Sequence, residues 1–574
     1  MGVARVVVVH DGAEGVAGLT FPSGVGVHHR DELDAIQREM SEINGVTALI
    51  YVQTCAAEKR RRRRKGAFPQ VEKRVFIDPD ICEGCGDCGV QSNCVAILPL
   101  ETVFGTKRQI DQSACNADYS CLKGFCPSFV TVEGGAPRKP AAQALAIPDL
   151  PEPDLPRIEK TWNTVVTGIG GTGAVTIGAV LGMAAHLEEK GAGVIEMAGL
   201  AQKGGAVHIH TRIAERAGDI SAIRISAGQA DAVIGGDLVT TATAQTQALV
   251  RPGHTRAAVN AHLTPTGDFA RDPDFALPGE AMEARLRERI GEGLALLDAT
   301  GLAQRLLGDA IFANMLLTGV AWQKGLIPLG KSSIHTAIGL NGAAVEKNRQ
   351  AFELGRWAAH EPQAVAERAA PRVVEMPQTL DGLIAERERH LTAYQGPRLA
   401  RRYRALVGAA PDAELREAVA RGYHKLLAYK DEYDVARLLL ETEAKARAAF
   451  EGELRLTYHL APPMLSRPGL DGRPRKRAFG QRLPMLLKPL AKLKVLRGTP
   501  LDPFGRTEDR RLERALLRQY EADMAEALER VTPQTRDAVR ELADLPLRIR
   551  GFGPVKQAAA ERAETRRRAL LAAI

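Results

Sequence analysis

Apolar positions along this chain change period several times, and each change marks an element. Ala4 to His10 is a β-branched run of the kind that forms a buried strand. Asp31 to Met40 places Leu33, Ile36 and Met40 at helical spacing, and Val46 to Gln53 predicts a second strand. One such β-α-β unit cannot bury enough surface to fold alone. Residues 1–66 are therefore expected to be the edge of an α/β domain whose main part is absent, or to dock on a neighbour. Residues 157–360 carry a second α/β pattern. Thr164 to Thr167 predicts a strand, Ala174 to Leu187 a small-residue helix, and Val194 to Glu196 and Ala232 to Gly235 further strands. From residue 375 to 574 the period is helical, with Leu415, Val419, Tyr423, Leu426 and Leu427 in one apolar stripe. Thr532-Pro533 predicts a helix start, and the proline- and arginine-rich stretch from Ala461 to Arg482 interrupts the helices. Residues 134–156 hold six prolines and little periodicity, and read as a linker between 157–360 and a module at 70–133.

Composition adds bounds rather than detail. Hydrophobic residues make up 45% and charged ones 25%, an ordinary globular balance for a multidomain chain of 574 residues. The weakly polar stretch Val165 to Leu187 is broken by six glycines and reads as strand, turn and helix, not as a membrane span. The N-terminus has no secretory pattern, so the cytoplasm is the default location. The net charge is +8, and much of the excess sits in seven consecutive basic residues, Lys59 to Lys65. No aromatic residues interleave this run, so a solvated or salt-bridging linker is expected in preference to a nucleic-acid contact.

The candidate chemistry lies in the cysteines. All eight fall between Cys55 and Cys126, seven of them from Cys82 onward. Cys82-Glu83-Gly84-Cys85-Gly86-Asp87-Cys88 offers three thiolates spaced by two residues, and Cys126-Pro127 offers a distant fourth. That spacing is the ligand logic of a four-iron ferredoxin cluster. Zinc also binds Cys-x2-Cys pairs but usually from two such couples, and a disulfide framework needs an oxidising compartment. Cross-ligation assigns Cys82, Cys85, Cys88 and Cys126 to one four-iron site. Cys94, Cys115 and Cys121 remain for a second cluster, whose fourth ligand is open between Cys55, Asp118 and none, the last giving a three-iron cluster. For Cys55 a buried apolar thiol at a strand end is the expectation. His424 and His459 stand isolated in sequence and are read as structural.

Gly168-Ile169-Gly170-Gly171-Thr172-Gly173 joins a predicted strand to a predicted helix, as in dinucleotide folds. Glu196, 23 residues beyond Gly173, lies where a ribose-binding carboxylate would fall. A nicotinamide or flavin site at Gly168, Gly170, Gly171 and Gly173, and a loop whose glycines serve only close packing, both stay open on the residues alone.

The order of pieces resembles a known family. Gln53-Thr54-Cys55-Ala56-Ala57-Glu58-Lys59, the Cys82–Cys88 motif, and Asp118-Tyr119-Ser120-Cys121-Leu122-Lys123-Gly124-Phe125-Cys126-Pro127-Ser128-Phe129 are similar to indolepyruvate ferredoxin oxidoreductases in their long fused form. Thr167 to Gly173, Gln202-Lys203-Gly204-Gly205 and Ala321-Trp322-Gln323-Lys324-Gly325-Leu326-Ile327-Pro328 resemble the γ domain of 2-oxoacid:ferredoxin oxidoreductases. The helical tail resembles the extra C-terminal domain of the fused enzymes. The fold expected is multidomain α/β: a ferredoxin-like iron–sulfur module, a Rossmann-like γ domain and a mostly helical C-terminal domain.

The resemblance implies oxidative decarboxylation of an aryl 2-oxoacid, transfer of the acyl group to coenzyme A, and electrons passed through one or two 4Fe–4S clusters to ferredoxin. The family's thiamine diphosphate and Mg2+ are held by a Gly-Asp-Gly signature, and no Gly-Asp-Gly occurs here. Residues 1–66 then resemble only the last strands of the thiamine domain plus a basic linker. A thiamine-binding subunit or a missing N-terminal region is the implied partner, in an oligomer that binds neither nucleic acid nor membrane, and this chain alone is expected to be inactive. No catalytic side chain is assigned. An NAD(P)-linked iron–sulfur oxidoreductase subunit and a non-catalytic electron-transfer or scaffold subunit are the alternatives.

Overall fold

The computed structural model describes the chain apart from residues 1, 13–14, 65, 139–144, 171–172, 199–204, 265–266, 370–378, 463–465 and 467–472. Contacts divide the chain into two units, one formed by Met1–Val71 with Asn116–Asp118 and the other by the remainder.

The first unit is a parallel sheet of β1 (Val3–His10), β2 (Gly26–His29) and β3 (Val46–Val52) in the order β2-β1-β3. Val7 and Val9 on β1 pack on Ile36 and Met40 of the helix Leu33–Ser41. The strand β2 is too short and too rich in histidine to show as an apolar run. The basic run differs from the linker expected: Ala56–Arg64 is a helix. Arginine and lysine are good helix formers, and Glu58 in the first turn pairs with Arg61 at 3.3 Å and Arg62 at 3.0 Å. Lys65 lies outside the described residues. Cys55 is exposed rather than buried, because it precedes this helix and its carbonyl accepts the Lys59 amide at 2.9 Å.

In the second unit, β4 (Lys73–Ile77) pairs antiparallel with β7 (Phe129–Pro137), and β5 (Ile97–Leu100) and β6 (Lys107–Ile110) form a hairpin between them in sequence. The next six strands are β8 (Trp162–Ile169), β9 (Gly191–Ala198), β10 (Ala206–Ala214), β11 (Ala232–Gly235), β12 (Arg256–Asn260) and β13 (Leu294–Leu297). They form one sheet in the order β13-β12-β11-β8-β10-β9. β8, β11, β12 and β13 run parallel, and β10 runs against both β8 and β9. The helix Ala174–Leu187 follows β8 as expected and buries Ile177, Val180, Leu181 and Ala184 in the core. On the same core, helices Ala313–Gln323 and Val345–His360 cross at two glycines. A Cβ on Gly355 would stand 1.8 Å from the Leu316 carbonyl oxygen, and one on Gly319 2.0 Å from that of Phe352. Only glycine allows that approach.

Residues beyond 378 are mostly helical, and all five members of the Leu415–Leu427 stripe are buried on the helix Ala413–Leu427. Two features differ from the sequence reading. The helix expected from Thr532-Pro533 begins at Arg536, because in a preceding turn the Thr532 amide donates to the Thr535 hydroxyl at 2.9 Å and the Thr535 amide to the Thr532 hydroxyl at 3.2 Å. The tail is also not purely helical. β14 (Phe450–Leu460) pairs antiparallel with β7, and β15 (Arg477–Phe479) pairs with β14, giving one sheet β15-β14-β7-β4. Phe450, Leu454, Leu456 and Tyr458 alternate inward on β14. The helical tail thus completes the sheet that carries the cysteine loops.

Candidate functional site

The cysteine loops hang from the β4–β7 pair. Cys82, Cys85, Cys88 and Cys126 line one small cavity with Ile77, Asp87, Arg108 and Phe129. Cys121 interacts electrostatically with Cys115 and Cys94. Burial, with Cys126 alongside, pushes the Cys85 thiol up to about 12, and burial, with Cys115 and Cys94, pushes Cys121 to about 12. Among the described residues, no three His, Cys, Asp or Glu side chains converge tightly enough to hold a single metal ion.

Local backbone explains how the loop is held. Gly84 has φ +67° and Gly86 φ +77°. A Cβ on Gly84 would meet the Thr106 carbonyl oxygen at 2.3 Å, and one on Gly124 would meet Cys88 Cα at 2.9 Å. The Gly84 amide donates to Cys82 Sγ at 3.4 Å, and the Ser128 hydroxyl lies 2.9 Å from Cys126 Sγ. Tyr119, two residues before Cys121, takes φ +63°, an uncommon conformation for a bulky residue. Its hydroxyl donates to the Lys73 carbonyl at 2.7 Å, which ties the second loop to β4. Asp118, the candidate fourth ligand, is ion-paired to Arg30 at 3.1 Å.

Positive side chains from distant sequence surround the thiols, and none was anticipated. Lys430 donates to the carbonyls of Ile81 and Cys82 at 3.1 and 3.3 Å and pairs with Glu83 at 2.9 Å. Arg473 holds Asp87 at 2.9 Å, and Asp87 in turn accepts the Phe125 amide at 2.6 Å. Arg550 donates to the Gly84 carbonyl at 3.3 Å. Asp78, fully buried, accepts from Thr442 at 2.6 Å and pairs with Lys445 at 3.1 Å. The Lys476 ammonium nitrogen is buried with no hydrogen-bond acceptor among the described residues. Burial pushes it down, while Cys126, Cys88, Asp87 and Cys121 pull it back toward the charged form. A buried cation with no hydrogen-bond acceptor, 4.6 Å over the Phe129 ring and interacting with Cys126, Cys88 and Cys121, fits an anionic iron–sulfur centre. A cubane also spreads its four thiolates over separate irons instead of converging them on one point. By these observations the residues fit 4Fe–4S chemistry, and they fit one zinc ion poorly.

The histidines are not isolated. His424 Nε2 lies 3.0 Å from His390 Nδ1, and Phe104 of the β5–β6 hairpin stacks on the His424 ring. Burial pushes His390 down to about 4, so the pair is neutral at pH 7. His459 Nε2 lies 3.1 Å from Thr131 Oγ1 and ties β14 to β7.

The glycine loop after β8 has a structural explanation. Gly168 is within β8, the Gly170 amide donates to the Gly205 carbonyl at 2.7 Å, and Gly173 has φ +93° with Asn314 Nδ2 2.6 Å from where a Cβ would be. Gly171 and Gln202-Lys203-Gly204 lie outside the described residues. Glu196 sits on β9 level with Val166, but β10 lies between them. That is two strand spacings, roughly 9.6 Å, from β8, not on the neighbouring strand where a dinucleotide fold puts its ribose ligand. Polar groups that sequence reasoning missed gather at the carboxyl ends of the parallel strands. Asn260 donates to the Gly236 carbonyl at 3.0 Å, and His262 Nδ1 lies 3.2 Å from Asp298. Burial holds Asp237 above the usual carboxylate range, and its Oδ2 has no hydrogen-bond partner among the described residues. Calorimetry on the full chain is expected to find no micromolar NADH or NADPH binding. Heat of binding at that level, lost in Glu196→Ala, would restore the nicotinamide alternative.

Two regions match known families. Residues 163–358 match the family described as pyruvate ferredoxin/flavodoxin oxidoreductase, and residues 380–569 match a family of unknown function. The chain is 28% identical over 204 residues to the indolepyruvate oxidoreductase subunit IorB of Thermococcus kodakarensis, covering 35% of this chain and 98% of the relative. The IorB subunit of Methanothermobacter thermautotrophicus is 27% identical over 202 residues, covering 35% and 98%. Among solved structures, the PORC subunit of pyruvate oxidoreductase from Thermotoga maritima gives a TM-score of 0.25 at 17% identity, over 34% of this chain and 96% of its own. The γ subunit of a keto/oxoacid ferredoxin oxidoreductase from Geobacter sulfurreducens gives 0.25 at 21%, over 35% and 98%. Residues 163–358 thus form an α/β domain that matches the pyruvate ferredoxin/flavodoxin oxidoreductase family. Over that domain the chain is similar to the IorB subunits of indolepyruvate oxidoreductases. No helix among the described residues is long and apolar enough to cross a membrane.

Proposed function

We propose that this chain is the electron-transfer and γ-domain part of an enzyme that oxidatively decarboxylates aryl 2-oxoacids of the indolepyruvate type to acyl-coenzyme A. The observation that supports the reading is that Cys82, Cys85, Cys88 and Cys126 line one small cavity in a cation-lined module. Cys82, Cys85, Cys88 and Cys126 would hold one 4Fe–4S cluster, and Cys94, Cys115 and Cys121 would hold a second. Bound there, such clusters supply one-electron acceptor chemistry, with ferredoxin as the onward acceptor.

The chain's own residues set the conditions for that chemistry. The Gly84 amide donates to Cys82 sulfur, and the Ser128 hydroxyl lies within hydrogen-bonding distance of Cys126 sulfur. Lys476 and Lys430 place positive charge beside the thiols and offset the charge of a reduced centre. Thr442, Lys445, Arg473 and Arg550 clamp the loops. The carbon chemistry belongs to a partner polypeptide that carries the Gly-Asp-Gly signature, thiamine diphosphate and Mg2+, since this chain has no such signature.

The test is reconstitution. Purified chain with indolepyruvate, coenzyme A, thiamine diphosphate and Mg2+ is expected to reduce no ferredoxin. Adding a polypeptide with the Gly-Asp-Gly domain is expected to start the reaction. Robust indolepyruvate-dependent reduction by this chain alone would show that the division of labour is wrong.

A further inference from the structure

The segment from Arg473 to Leu501 holds nine lysines and arginines and no aspartate or glutamate. Its central helix, Leu483–Lys492, turns Leu483 and Leu487 inward. Its outer face shows Met485 at 72% and Leu486 at 70% exposure beside the exposed cations Arg482, Lys488 and Lys492. Val495 at 72% and Leu501 at 77% extend the apolar surface past the helix end. Large side chains so exposed in a row mark an interaction surface.

Two further facts say what fits it. A single apolar cavity is lined by Leu483, Leu486 and Leu487 of this helix and also by Cys126 and Lys476, so the surface borders the first cysteine group. Four of that cavity's five acids are ion-paired, Asp431 with Arg497, Glu432 with Arg510, Glu513 with Lys556 and Glu83 with Lys430, and the fifth, Asp509, accepts from the Gln557 side-chain amide at 3.1 Å. The exposed rim contributed by the segment itself is positive, with Arg482, Lys488 and Lys492 and no acid in the segment. A second copy of this chain would bring two positive faces together in a symmetric contact.

We infer that the outer face of Leu483–Lys492 docks an acidic electron-carrier protein over the cavity that leads to Cys126. This rests on the electron-transfer reading and adds where the carrier sits. An apolar centre of Met485, Leu486 and Val495 with a basic rim is the anatomy of a small, transient and salt-sensitive interface. Electron transfer falls steeply with distance, so a carrier seated there is placed to receive electrons.

The probe is an acidic plant-type ferredoxin, and the readout is binding to the full chain by calorimetry at low and high salt. Wild type is expected to bind, and to bind less tightly as salt rises. Lys488→Glu with Lys492→Glu is expected to weaken binding about tenfold or more at low salt, and Leu486→Ser to weaken it at both salts. Both changes are on exposed side chains, so circular dichroism should stay that of wild type. Wild-type affinity in both variants would overturn the inference. So would binding of wild type to phosphatidylglycerol vesicles but not to ferredoxin, or concentration-dependent self-association that the variants abolish. Docking through this face without any electron passing leaves the docking standing and removes the electron-transfer reading.

Discussion

Anaerobically prepared Cys85→Ser is expected to lose about four iron atoms per chain, the content of one 4Fe–4S centre, while the second group keeps its own. Cys85 lies mid-loop between Gly84 and Gly86, lines the cavity shared with Cys82, Cys88 and Cys126, and its thiol is pushed up to about 12 by burial. Serine replaces it with almost no change of volume, so packing survives and only the thiolate is lost. Cys115→Ser is expected to deplete the second group and spare the first, because Cys115 neighbours Cys121 and Cys94. Cys55→Ser is the control: it is exposed at the start of Ala56–Arg64 and is expected to retain full iron. Iron and sulfide analysis with electron paramagnetic resonance reads all three. Stoichiometric zinc without iron in protein made under iron-replete anaerobic conditions would sink the assignment, and so would iron lost from Cys55→Ser but kept in Cys85→Ser.

How much of this was legible follows from how local each signal is. Cys82, Cys85 and Cys88 stand out in the sequence because they share one loop, and ligand spacing is a local property. The small-residue helix Ala174–Leu187 and the strand Ala232–Gly235 were readable because their buried faces give unbroken apolar runs. The cation shell was not readable. Arg473 reaches Asp87 across 386 residues and Lys430 reaches Cys82 across 348, and no periodicity in either segment announces its partner. β14 escaped for a related reason. Its alternation of Phe450, Leu454, Leu456 and Tyr458 is present in sequence, but helices before and after it set the expectation, and its partner β7 lies over 300 residues away. Glu196 misled because the count of residues after a glycine loop is blind to β10, which enters the sheet between β8 and β9.

The last expected result tests whether the helical tail holds the cysteine module. Asp431 and Arg497 form a bidentate pair, with Asp431 Oδ2 2.5 Å from Arg497 Nε and Oδ1 2.8 Å from Nη2, and both side chains are almost wholly buried. Arg497 also lies 3.8 Å over the Tyr394 ring, and Asp431 caps the helix Glu432–Ala449 by accepting the Asp434 amide at 2.9 Å. Asp431→Ala removes the cap, worth about 1 kcal/mol, and leaves a buried guanidinium without its counter-charge, which costs about 3–5 kcal/mol. The same helix presents Thr442 and Lys445 to Asp78 at the foot of the cysteine loop. Loosening it is therefore expected to lower the thermal midpoint and to speed release of iron to a chelator. Asp431→Asn keeps an acceptor for the Asp434 amide and is expected to fall between wild type and alanine in both measurements. Thr507→Ala removes the cap of the helix Glu508–Glu529, which does not grip the loop, and is expected to lower the midpoint slightly without faster iron release. Equal iron-release rates in wild type and Asp431→Ala, despite a lowered midpoint, would show that the module holds its metal without the helical tail.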